Sequence, residues 1–165
     1  MRHDRRGFTF LELLVVIAVL GIVFAIGFRA FPRDVIIVNQ AVERFERDLE
    51  RVRFNAISYN TVIVFSINSG TDSYGAVPEP DVATVTRARF TVELAREGVG
   101  GVAIAPVVAG SSTCEGVAAN GVGVWRFDQR GVGRAGPASL VTFEHATSGY
   151  SVSLCVNAYG RVVRV

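Results

Sequence analysis

Three groups of residues in this 165-residue chain have types and spacings suited to chemistry. The first is Arg5-Arg6-Gly7-Phe8 followed by Glu12, a lone acid at the start of a long apolar run. A carboxylate inside such a run costs about 2.5–3.5 kcal/mol on insertion scales. No basic residue lies within one helical turn after Gly7. Two accounts of Glu12 are open. A cut between Gly7 and Phe8 would create an α-amino group four residues from Glu12 on the same helix face, able to pair with it in the same chain or in a neighbour. Otherwise the carboxylate reaches back to the headgroups from near the end of the span. The second group is Cys114 and Cys155, whose spacing matches no metal motif. The third is a set of arginines, Arg161 and Arg164 near the end of the chain with Arg126, Arg130 and Arg134 on neighbouring turns.

Catalysis is not expected. Past residue 7 there is one histidine, His145, so a multi-histidine metal site is excluded, and no cofactor or metal is implied. Its neighbour Glu144 would face the opposite side of a strand. No nucleophile motif or phosphate loop is present. A membrane-tethered periplasmic enzyme is therefore the contrasting class, and the weaker one.

The elements that must position these residues follow from hydropathy. Phe8–Phe28 is apolar apart from Thr9 and Glu12, with no charge and no proline from Leu13 to Phe28. At about 1.5 Å per residue, about 20 residues cross a hydrocarbon core, and this run meets that length. Arg2, Arg5 and Arg6 place the N-terminus in the cytoplasm and the head in the periplasm, with one pass through the inner membrane. A secretory signal peptide is the rival, but the stretch Ala25–Ala30 is interrupted by Phe28 and Arg29, and helical periodicity continues beyond it. All 17 basic residues are arginine; without the first seven residues, 14 arginines face 14 acids, so net charge does not point to nucleic acid.

Pro32 predicts a kink, or else a helix end. Val38, Val42, Phe45, Leu49, Val52 and Ala56 then recur at helical spacing, opposite a charged face that contains the i,i+4 pairs Glu43–Arg47 and Arg44–Asp48. This pattern predicts one helix of about 50 residues ending near Tyr59–Asn60. The remainder reads as short strands: Thr61–Ile67, Ala83–Leu94, a weak region Gly98–Val108, Val122–Asp128, Ser139–Glu144, Tyr150–Asn157 and Arg161–Val165. Asn68–Asp81, with two prolines, and Ala109–Asn120 read as loops. The fold class is α+β: a long N-terminal helix on a mostly antiparallel sheet, or two small sheets. The divisions are 1–7 leader, 8–31 membrane helix, 32–60 amphipathic helix half and 61–165 β-rich head.

The run Arg5-Arg6-Gly7-Phe8-Thr9-Phe10-Leu11-Glu12-Leu13-Leu14-Val15-Val16 resembles the leader of type IV prepilins and type II secretion pseudopilins. Phe10 stands where many members have Leu or Ile. The C-terminal half is similar to the GspH/FimT class of minor pilins. The residues that carry this are Trp125–Gly131, Leu140–Phe143 and Ser153–Val162. The resemblance implies the pilin fold and cleavage after Gly7 by prepilin peptidase. It also implies N-methylation of Phe8, and assembly with other pilins or pseudopilins through the N-terminal helix. The chain would then be a structural subunit of a type IV pilus, a type II secretion filament or a competence pseudopilus. Gly160-Arg161-Val162-Val163-Arg164 resembles a C-terminal segment linked to DNA uptake in some members, with one extra residue between the arginines. DNA is thus an alternative partner, and a solvated sheet edge is the plainer account of these arginines. In an oxidising periplasm Cys114 and Cys155 would form a disulfide, closing a loop of about 40 residues for roughly 4 kcal/mol; two free thiols are the alternative.

Overall fold

The computed structural model describes residues 9–29, 32–79, 88–105, 108–109, 123–134, 139–157 and 159–165. Two helices come first, α1 over Phe10–Arg29 and α2 over Arg33–Ser58. The expected single helix of about 50 residues is thus two. Pro32 stands just before α2, outside any helix. That is where proline costs least, because the first amides of a helix have no intrahelical acceptor. The chain divides into two compact units, Met1–Arg33 and Asp34–Val165, so α2 belongs to the same unit as the strands.

The periodic stripe of α2 is the core-facing one. Val38, Val42, Phe45, Leu49, Val52 and Ala56 are all buried, and Ala41 joins them. The helix ends through its own backbone. Asn60 takes φ of +48°, its N–H donates to the Ile57 carbonyl, and the Thr61 N–H donates to the Ala56 carbonyl. These two bonds and the left-handed residue form a Schellman motif, with asparagine in the place glycine usually holds.

Ten strands are described, all paired antiparallel and divided between two sheets. The first has the order β3-β2-β1-β6-β7, from β1 Val62–Asn68, β2 Ser73–Glu79, β3 Phe90–Glu93, β6 Val124–Phe127 and β7 Gly133–Arg134. The second has the order β10-β9-β8-β4, with β5 also on β8. Its members are β4 Val102–Ile104, β5 Val108–Ala109, β8 Ser139–His145, β9 Ser151–Val156 and β10 Val162–Arg164.

The segment Asn68–Asp81, read as a loop from its prolines, contains β2. Pro78 lies opposite Ile63 of β1, beyond the register with β3, which ends at Ala76 opposite Phe90. Among the described residues β3 does not reach Pro78, and proline is tolerated at such an edge position. The expected strand Ala83–Leu94 shortens to β3, followed by a 3-10 turn at Leu94–Arg96. Residues 83–87 lie outside the described ones. The weak region Gly98–Val108 resolves into β4 and the start of β5.

Phe45 joins the layers. Its ring meets Phe65 of β1 at 5.6 Å, Tyr74 of β2 at 5.2 Å and Phe143 of β8 at 5.3 Å, all edge to face. One helix side chain therefore touches both sheets. Asp72, in the β1–β2 turn at φ +46°, adds a polar link: its Oδ1 accepts from the Ile104 amide of β4 at 2.8 Å.

Tyr74 is buried to 1 % exposure, yet its hydroxyl donates to Asp48 Oδ2 at 2.9 Å. Arg44 lies 3.8 Å from the same carboxylate oxygen and 2.8 Å from Glu97. Of the two expected i,i+4 pairs, Arg44–Asp48 forms, whereas Arg47 donates from Nε to the Glu43 carbonyl. Burial, then the Asp48 charge and hydrogen bond, push the Tyr74 phenol well above its ordinary value near 10. For Arg44, burial opposes the charge, but the bond to Glu97 outweighs it and the pKa rises.

Two outcomes follow. Phe45→Ala should lower unfolding free energy by about 3–5 kcal/mol in a denaturant titration, since a fully buried aromatic is lost where both sheets meet the helix. For Tyr74, the folded pKa is raised, so its contribution is complete below pH ~10 and falls as pH rises through the folded value. Wild-type thermal stability should drop above pH ~10, and Tyr74→Phe should remove that component of the alkaline slope.

Candidate functional site

α1 is apolar on every side. Its described side chains from Phe10 to Ala25 are all exposed, with Phe10 at 78 % and Phe24 at 63 %. A helix without a polar face cannot stay in water, and needs lipid or other helices around it. Among the described residues no helix is long and apolar enough to cross a membrane. Gly7 and Phe8 lie outside the described residues.

Glu12 sits in the first turn of α1. Thr9 precedes the helix, and its Oγ1 accepts from the Glu12 amide at 3.3 Å, while the Thr9 carbonyl accepts from the amides of Glu12 and Leu13. Thr9-x-x-Glu12 thus has the spacing of a capping box, and an acid in the first turn is favoured by the helix dipole. This third account of Glu12 was legible as a Thr-x-x-Glu pattern ahead of an apolar run.

Two of the five arginines are held by carboxylates. Arg164 makes a two-pronged contact with Glu46 of α2, Nε to Oε1 at 3.0 Å and the other guanidinium nitrogen to Oε2 at 3.1 Å. That hydrogen bond raises the Arg164 pKa against a small burial penalty. Arg126 of β6 pairs with Glu79 of β2 at 3.0 Å, reaching over the intervening strand β1. Arg130 is exposed on the β6–β7 turn, where its amide is held by Asp128. Arg134 lies in β7, opposite Arg126. Arg161 is exposed on the wall of an open cleft of about 580 Å³ between α2 and the β9–β10 turn, together with Arg53, Glu46, Glu50 and Tyr159. Two acids, Glu46 and Glu50, and two bases, Arg53 and Arg161, share that lining.

The turn itself is tightly set. Gly160 has φ of +73°, and a Cβ there would come 2.4 Å from the Phe127 ring. Both the backbone angle and the close approach require glycine. The Gly-Arg junction is therefore accounted for by packing.

Cys155, on β9, is disulfide-bonded. Cys114 lies outside the described residues. His145 is buried at the end of β8 while Glu144 is exposed, as strand alternation requires. His145 Nδ1 is 3.2 Å from Ser148 Oγ, and Nε2 is 3.7 Å from Asp34 Oδ1. The second distance is too long for a hydrogen bond, and the Ser148 hydroxyl also accepts from the Tyr150 amide. The cluster closes the β8–β9 turn. Among the described residues no group of His, Cys, Asp and Glu could hold a metal.

Sequence reasoning missed the Tyr74–Asp48 bond and the use of Glu46 and Glu79 as arginine partners, which link residues far apart in the chain.

A family model for the prokaryotic N-terminal methylation motif matches residues 2–28, and one for type II transport protein GspH matches residues 41–160. No curated protein and no solved structure matches the chain. With its methylation motif, its apolar α1 and its α+β head, the chain belongs to the GspH family of type II transport proteins.

Proposed function

We propose that this chain is a minor pilin or pseudopilin, a structural and non-enzymatic subunit of a type IV pilus or type II secretion-like filament. Prepilin peptidase cuts it after Gly7, Phe8 becomes the methylated N-terminus, and Phe8–Phe28 crosses the inner membrane once with the head in the periplasm. The same segment later packs against the helices of other pilins. The observation that carries this reading is an all-round apolar helix whose single acid lies in its first turn, next to the processing motif. Glu12 meets the new α-amino group of Phe8, in its own chain or in a neighbour. Cys114 and Cys155 form one disulfide in the head, a reading supported by the disulfide-bonded state of Cys155.

The nucleic-acid reading has less support, because Arg126 and Arg164 are already held by Glu79 and Glu46.

Mass spectrometry of the membrane-extracted protein should give a chain beginning at Phe8 and one methyl group heavier than the unmodified sequence. A chain beginning at Met1, or trimmed near residue 30, overturns the assignment. Glu12→Gln separates the accounts of that residue. Glutamine also serves at the third position of a capping box, so a pure cap leaves assembly unchanged. A charge partner predicts normal processing and a roughly tenfold or larger fall in the filament fraction, equivalent to ~1.4 kcal/mol or more. Thiol titration of the unfolded, unreduced chain should find no reactive cysteine; two would remove the disulfide.

A further inference from the structure

The first turn of α2 lies ahead of the buried stripe, which begins only at Val38. Pro32, Arg33 and Ile36 are exposed, while Asp34, Val35 and Ile37 are partly buried. The boundary between the two compact units falls here, with Asp34 the first residue of the second unit. One titratable side chain reaches this turn from the strands. His145, at the end of β8, is buried to 8 % exposure, and its Nε2 stands 3.7 Å from Asp34 Oδ1. Among the described residues Asp34 is the only charged side chain within ion-pair distance of that ring. The other groups against the ring carry no charge. A Cβ on Gly101, ahead of β4, would come 3.0 Å from Nε2, and Ser148 of the β8–β9 turn meets Nδ1.

The hydrogen bonds select the neutral tautomer. The Ser148 amide donates to Nδ1 at 3.4 Å, which leaves the ring proton on Nε2, toward Asp34. At 3.7 Å that approach is not a hydrogen bond. A second proton, on Nδ1, makes the ring a cation beside a carboxylate. The Ser148 hydroxyl, 3.2 Å from Nδ1, then accepts instead of donating, because a hydroxyl can do either. The ring therefore keeps a partner in both charge states, and what changes is its attraction for Asp34. We propose that His145 and Asp34 form a proton-operated latch on the first turn of α2. With His145 protonated the pair closes and holds the turn against the end of β8. With His145 neutral the turn frays more readily, back toward Val38. Histidine is the side chain that changes charge between about pH 5 and 8, so the latch closes on the acid side of that range. The favourable placing of Asp34 at a helix N-terminus is the same in both states, since its carboxylate stays ionised there. The latch thus sets where the ordered head begins, at the residue where the unit boundary falls. It belongs to the second unit and does not rest on the filament reading.

The test is hydrogen–deuterium exchange of the full-length chain in detergent micelles at about pH 5 and about pH 8. Rates are read as protection factors, with the intrinsic pH dependence of exchange divided out. The Ile37 and Val38 amides report on the turn, because their helical acceptors are the Arg33 and Asp34 carbonyls. Their protection should be roughly two- to fivefold higher at the lower pH, the effect of one part-exposed ion pair, and that of the Val52 amide should not move with it. His145→Gln and Asp34→Asn should each remove the difference, and the double variant should do no more than either. Asp34 is only partly buried, so Asp34→Asn tests the latch even where His145→Gln fails to fold. Equal protection at both pH values in the unsubstituted chain overturns the proposal, as does a step that survives Asp34→Asn. A step of the same size at Val52 is a change in global stability and overturns it as well.

Discussion

The head depends on one helix face being buried by two sheets at once. Neither sheet is large, and each presents an apolar face that it cannot cover alone. The α2 stripe covers both, and Phe45 is the side chain at which they meet, with ring contacts to Phe65 and Tyr74 on one side and Phe143 on the other. The sheets are otherwise joined by features such as the Asp72 bond to the Ile104 amide, a single polar contact. Burial of apolar area is roughly additive and does not depend on direction, so it sets the layers; the polar bonds then set register and angle.

The polar contacts cluster at the borders of that apolar face. Tyr74 is buried beside the stripe and sends its hydroxyl to Asp48, whose carboxylate is also near Arg44. On the other border Arg164 of the last strand grips Glu46. The charged face of α2 is therefore partly structural. Its two flanks hold the sheets. An amphipathic helix on a flat sheet has this geometry by necessity. The residues about 90° from the core centre can reach neighbouring strands, and those at 180° cannot.

α1 follows different physics. No residue of the head is needed to explain why its described side chains are exposed, because apolar character all around the helix asks for a surrounding medium rather than for one partner face. Membership of the GspH family accords with that division of labour, with the methylation motif matched over residues 2–28 and the GspH model over residues 41–160. Pro32 marks the point between them where the α-helical ladder is interrupted.

Several features were determined by the sequence alone. The α1 run, the buried stripe of α2, the end of that helix near Asn60 and the last three strands are all local in origin: period, length and turn residues suffice to write them. Thr9-x-x-Glu12 belongs to the same class. Only the tertiary structure decided that Asn68–Asp81 contains a strand, since Ser73–Glu79 pairs with β1 along its whole length and carries Pro78 within that pairing. It alone decided which arginines are spoken for. Glu46 lies 118 residues from Arg164, and Glu79 lies 47 from Arg126. Contacts of that separation leave no periodic trace in the chain; they arise because burial of the α2 stripe brings the strand edges to its flanks.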